Sequence, residues 1–110
     1  MIKLIAFLKR RPGMTREEFA QRWVHEHTKI SGKLPGLLGY RINIATERQP
    51  GGIIDEPLYD GTAELWWNSI EEMEASFATD IGVLAGQDGD AFAEVRIHLY
   101  TEEHNIVPGP

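Results

Sequence analysis

The sequence predicts an α+β domain: a four-stranded antiparallel sheet with helices packed on one of its faces. Three observations lead there. Four short runs show the two-residue alternation of strands. Two segments open on a Ser/Thr-x-x-Glu box and continue with helical spacing. Their order along the 110 residues is β-α-β-β-α-β, the ferredoxin-like arrangement.

The first run, Ile2 to Lys9, is apolar on both faces, as expected of a central strand, and Arg10-Arg11-Pro12-Gly13 stops it. Thr15 and Glu18 then form a capping box for a helix reaching Ile30 or Ser31. At about 100° per residue, Phe19, Trp23, His27 and Ile30 share one side of it. Gly32, Pro35 and Gly36 end the segment. Leu37 to Ala45 is the second strand, with Leu38, Tyr40, Ile42 and Ile44 alternating against Gly39, Arg41 and Asn43. Thr46 to Tyr59, with Pro50-Gly51-Gly52 and Pro57, is expected to form a long loop or hairpin tip.

Gly61 to Trp67 is the third strand, Ala63, Leu65 and Trp67 alternating with Thr62, Glu64 and Trp66. Ser69 and Glu72 cap a second helix carrying Ile70, Met73 and Phe77. From Asp80 to Glu94 the glycines 82, 86 and 89 weaken the helical pattern, so two short helical pieces are expected. Val95 to Thr101 is the fourth strand. Val95, Ile97 and Leu99 are expected to face the helices, with Arg96, His98 and Tyr100 on the opposite face. One domain over residues 1–104 and a C-terminal tail, 105–110, complete the chain.

The composition narrows the function. With no cysteine, disulfides and thiolate chemistry are excluded. A net charge of −6 without a basic stripe argues against nucleic acid and against anionic membranes. No run approaches the ~18 apolar residues that span a bilayer, and the apolar-then-basic N-terminus reverses the order of a signal peptide. A cytoplasmic location is expected. There is no His-Glu-x-x-His, phosphate loop or Gly-x-Gly-x-x-Gly, so neither metal nor cofactor is expected. Asp88-Gly89-Asp90 lacks the further ligands of a calcium loop and is expected to be a polar turn.

Two helices cover one sheet face only. The other is expected to carry Ile5, Phe7, Trp66 and Tyr100 among polar groups, a half-apolar patch that a second copy would bury. The alternative is cover by the long loop and tail. On that same face, Arg41, Asn43, Glu64, Arg96 and His98 form a polar row. It is either a small-molecule site or a solvated surface with ordinary salt bridges. His25 and His27 point about 200° apart on a helix and cannot share an ion. His27 is either a satisfied core histidine or a catalytic one, and His98 is the best single candidate for a general base.

Glu18-Phe19-Ala20-Gln21-Arg22-Trp23-Val24-His25-Glu26-His27, followed by Leu34-Pro35-Gly36 and Tyr40-Arg41-Ile42-Asn43, resembles the pattern of the EthD-like family. Asp60-Gly61-Thr62-Ala63-Glu64-Leu65-Trp66 is similar to another segment of that family, and Asp88 to Phe92 resembles its Asp and Phe before the last strand. The resemblance implies a ferredoxin-like homodimer of the dimeric α+β barrel superfamily. Its namesake is associated with ethyl tert-butyl ether degradation, and the superfamily includes muconolactone isomerases, polyketide cyclases and cofactor-free monooxygenases. Carried over by position, the resemblance marks His27, Tyr40, Asn43, Glu64 and Trp66.

The expected function is metal-free proton transfer, of isomerase or cyclase type, on a small aromatic or lactone-like ligand. His27 or His98 would be the base, Arg41 or Arg96 would hold an anionic group, and Tyr100 would join the ligand contacts. The alternatives are a cofactor-free or haem-degrading type of monooxygenase and a non-catalytic binding dimer.

Overall fold

The computed structural model describes all 110 residues. Strand β1 is Ile2–Arg10. The first helical stretch has three parts: α1 (Arg16–Gln21), a π-helical segment (Arg22–His27) and α2 (Thr28–Ser31). Then come β2 (Gly39–Ile44), the two-residue strands β3 (Arg48–Gln49) and β4 (Gly52–Ile53), and β5 (Gly61–Trp67). Helices α3 (Ile70–Phe77) and α4 (Asp80–Phe92) lead into β6 (Ala93–Thr101). The main sheet has the order β2-β5-β1-β6, and every neighbouring pair is antiparallel. This is the predicted ferredoxin-like fold.

Local chemistry explains the helix starts. The Thr15 side chain accepts from the Glu18 N–H while the Glu18 carboxylate accepts from the Thr15 N–H, a complete capping box. Ser69 caps α3 with its side chain alone, accepting from the Glu72 N–H. The long loop folds back as the β3–β4 ribbon. Its end is fastened to β1 by buried Asp60, which accepts from the Arg10 N–H at 2.8 Å and pairs with the Arg10 guanidinium.

The core lies between the sheet and the helices. Trp23, Trp67, Phe19, Phe92, Leu4 and Met73 are its largest fully buried side chains. Gly61 is required there: a Cβ would stand 2.4 Å from the Asn43 carbonyl oxygen and 2.8 Å from the Trp23 ring. The missing side chain lets the indole lie against the strand.

Two sequence expectations need correction. Asp80 to Phe92 is one continuous 13-residue helix, not two pieces. Two of its glycines lie against close neighbours: at Gly82 a Cβ would lie 2.2 Å from the Phe77 carbonyl oxygen, and at Gly89 it would lie 2.9 Å from the Arg96 guanidinium. The phase of β6 is also reversed. Leu4, Ala6 and Leu8 face the helices, and directly opposite them stand Tyr100, His98 and Arg96. Opposed residues of an antiparallel pair share a face. Arg96, His98 and Tyr100 therefore turn towards the helices, while Val95, Ile97 and Leu99 join Ile5 and Phe7 outside.

The physical reason is a β-bulge. Buried Ala93 pairs with Arg10, and the next pair is Lys9 with Val95, so Glu94 is an extra residue. One extra residue flips the parity of everything beyond it. Ala93-Val95-Ile97-Leu99 looks like one apolar row in the sequence but is split between the two faces.

Candidate functional site: a cavity between the sheet and the helices

The reversed phase of β6 gives the sheet and helices something to enclose. Between them is a partly open cavity of about 340 Å³, mostly apolar. That lies at the small end of the roughly 300–1,000 Å³ typical of ligand pockets. Leu4, Ala6 and Leu8 form its floor. Trp23, His27 and Ser31 line it from the first helical stretch, four residues apart on one side. Two of the three come from the π-helical segment, a geometry that is frequent at functional sites. His25, two residues from His27, is exposed.

His27 is buried, and its Nδ1 lies 2.8 Å from Asp88 Oδ2 on α4. Asp88 also accepts two hydrogen bonds from Arg22, at 2.6 and 2.9 Å. Those bonds from Arg22 come first among the causes that hold the Asp88 carboxyl down to about 2. A carboxylate there makes Nδ1 the protonated nitrogen of His27 and leaves the Nε2 lone pair free. Burial pushes His27 below the ordinary histidine value, although Asp88 acts in the opposite direction. The imidazole is thus neutral at neutral pH and has a lone pair that can accept a proton. Its ring is also held by Phe92, with centroids 5.2 Å apart.

Across the cavity stand Arg96, His98 and Tyr100 of β6. His98 is lowered by burial and then by the charge of Arg96. The Arg96 field lowers His27 as well, so it reaches both histidines. Asp90, the ion-pair partner of Arg96, is largely exposed, and solvent screens that pair. The Asp88 charge, by contrast, is already matched by Arg22. The remaining field in the cavity is therefore positive and favours an anion. Tyr40 completes the wall: its hydroxyl lies 2.8 Å from Ser31 Oγ, and burial raises its pKa, keeping it a neutral donor.

The predicted site residues divide into two groups. His27, Tyr40, Arg96, His98 and Tyr100 meet at the cavity. Arg41, Asn43, Glu64 and Trp66 do not, because β2 and β5 turn them to the open face. The single site expected from the sequence is corrected to that extent. On the open face these groups satisfy one another. Lys3 bridges Glu64 and Glu103, and Asn43 donates to Thr62 at 3.1 Å and to Glu64 at 3.4 Å. Lys3 and Arg41 both lie against the Trp66 ring, at 4.8 and 5.1 Å from its centroid.

Sequence reasoning missed Asp88, Arg22 and Ser31. Asp88 lies in helix α4 rather than in a polar turn. It is 61 residues from His27, so no local spacing could have paired them.

The fold and the partly open cavity define a ferredoxin-like α+β domain with a pocket between its sheet and its helices. The model of the EthD domain matches residues 11–96, and the chain belongs to that family, within the dimeric α+β barrel superfamily. An EthD-family protein from Bacillus halodurans is similar at 25% identity and a TM-score of 0.79, over 94% of this chain and 99% of that one. HapK from Hahella chejuensis shares the fold at 14% identity and a TM-score of 0.75, over 100% and 99% of the two chains. SnoaB, a cofactor-independent oxygenase from Streptomyces nogalater, shares it at 11% identity and 0.68, over 98% and 97%. A comparison with the curated proteins finds no match. No helix is long and apolar enough to cross a membrane.

Proposed function

We propose that the cavity binds a small aromatic or lactone-like anion, or a neutral compound that becomes one, and that His27 moves a proton on it. The observation that carries this is the contact of 2.8 Å between His27 Nδ1 and Asp88, which leaves Nε2 as the free base of an apolar cavity. His27 takes a proton from an acidic carbon or hydroxyl through Nε2. The imidazolium so formed is stabilised by Asp88, as the anion is by the Arg96 field. Returning the proton to a different atom of the ligand is an isomerisation. If the anion instead attacks a carbonyl within the same molecule, the step is a cyclisation. Neither needs a metal. His98, neutral and on the opposite wall, is the second proton carrier. The working protein on this reading is a homodimer, joined through the open sheet face.

The same first step supports a second reading. A deprotonated, electron-rich ring is also what reacts directly with dioxygen, and the fold shared with a cofactor-independent oxygenase favours keeping this outcome in the test. α-Angelica lactone and 1,8-dihydroxynaphthalene serve as probes. Isomerisation of the lactone is followed by ultraviolet absorbance, and oxygen uptake with the naphthalenediol by an electrode. His27→Ala should lower the active reaction by about 100-fold or more, the usual contribution of a general base. His25→Ala should not. Full activity in His27→Ala would remove His27 from the chemistry, and oxygen uptake without isomerisation would select the second reading.

A further inference from the structure

Helix α4 carries glycine at 82, 86 and 89, and glycine inside a helix weakens it relative to alanine. At two of these positions a Cβ would meet a close neighbour: the Phe77 backbone, which excludes it, at Gly82, and the Arg96 side chain, which would have to shift, at Gly89. Gly86 is different. A Cβ there would meet nothing within 4 Å, and its backbone is ordinary right-handed helix. Neither packing nor conformation calls for glycine at this position. Gly86 does line the cavity.

Size gives the second observation. A cavity of about 150 Å³ is enough to hold benzene. This one, at about 340 Å³, is about twice as large and is walled mainly by apolar side chains. We infer that Gly86 sets the size of ligand the cavity accepts, its missing side chain leaving room for the second ring of a fused two-ring aromatic anion. The inference rests on the ligand class proposed above and adds the position that selects within it. On this inference a leucine at 86 takes up that space and leaves room for a single ring.

The test is calorimetric titration of the full chain with 2-naphthoate and with benzoate, in wild type, Gly86→Ala and Gly86→Leu, with melting curves for each. Wild type should bind 2-naphthoate more tightly than benzoate. Gly86→Leu should weaken 2-naphthoate by about tenfold or more, as overpacking does, and leave benzoate within about twofold of wild type. Gly86→Ala should melt higher than wild type, since alanine favours the helix, and should shift the preference in the same direction by a smaller factor. If Gly86→Leu does not fold, the ratio of the two affinities in Gly86→Ala decides. An unchanged ratio in the variants overturns the role of Gly86, as does a wild type that binds benzoate at least as tightly as 2-naphthoate; either leaves the anion-binding cavity standing. A wild type that binds neither acid overturns both.

Discussion

Asp88 has two partners, and its removal separates their roles. In Asp88→Asn the side chain keeps nearly the same shape, but Arg22 loses its counter-ion and His27 the negative charge beside Nδ1. Stability at neutral pH should fall by about 1 kcal/mol, low for a charged hydrogen bond because the pair is partly open to solvent. The sign of the pH dependence follows from the lowered carboxyl. Its value falls from 3.8 to about 2 on folding, so its contribution is complete above about pH 5 and is lost progressively as pH drops through 4 towards 2. Wild type and Asp88→Asn should therefore converge in urea denaturation as pH falls through that window, and a constant gap would mean Asp88 is not ionised in the fold. The histidines act earlier. His27 and His98 are both lowered, so their contribution is present above about pH 6.5 and declines below it. At this scale the sequence was informative where a helix phase decides, as for buried His27 and exposed His25. For Asp88 it gave only the resemblance of Asp88 to Phe92 to a family segment and no partner, because His27 is 61 residues away in the chain.

Elements whose signals are local were legible, and those set by tertiary packing were not. Both Ser/Thr-x-x-Glu boxes mark real helix starts. Thr15→Ala should cost about 1 kcal/mol in chemical denaturation, the usual worth of an N-cap, and should leave ligand binding intact because Thr15 lies outside the cavity. No loss of stability would mean the box is not formed in solution. The strand phase of β2 and β5 followed from alternation, because each carries an apolar row opposite a largely polar one, whereas β1 is apolar on both faces. In β6 the same rule failed for two reasons. The helix-facing row holds Arg96 and His98 because it lines a cavity rather than a filled core. The outer row is apolar, so polarity no longer distinguishes inside from outside. The bulge at Glu94 then hides the change of parity. The continuity of α4 was obscured in a similar way: glycine reads as a helix breaker, but Gly82 and Gly89 lie against close neighbours and Gly86 borders the cavity.

For the whole molecule, the reversal of β6 makes the open face more apolar than the sequence suggested. Tyr100 leaves it, and Val95, Ile97 and Leu99 take its place beside Ile5 and Phe7. Ile97 is 44% exposed and Leu99 51%. An apolar patch is the kind of surface that soluble chains bury against a partner, and a sheet face can pack on its own twofold copy, as the proposed dimer requires. Sedimentation equilibrium at micromolar concentration should give about twice the mass of one chain. Two adjacent substitutions on β6 test the face as well as the mass. Ile97→Asp places a charge in the patch and should return the protein to single chains while leaving 2-naphthoate binding in place. His98→Ala changes the cavity side, so it should remain dimeric and lose ligand affinity instead. The opposite pattern would show that the phase of β6 is wrong, and a wild type that sediments as one chain would show that the open face is not a contact between copies.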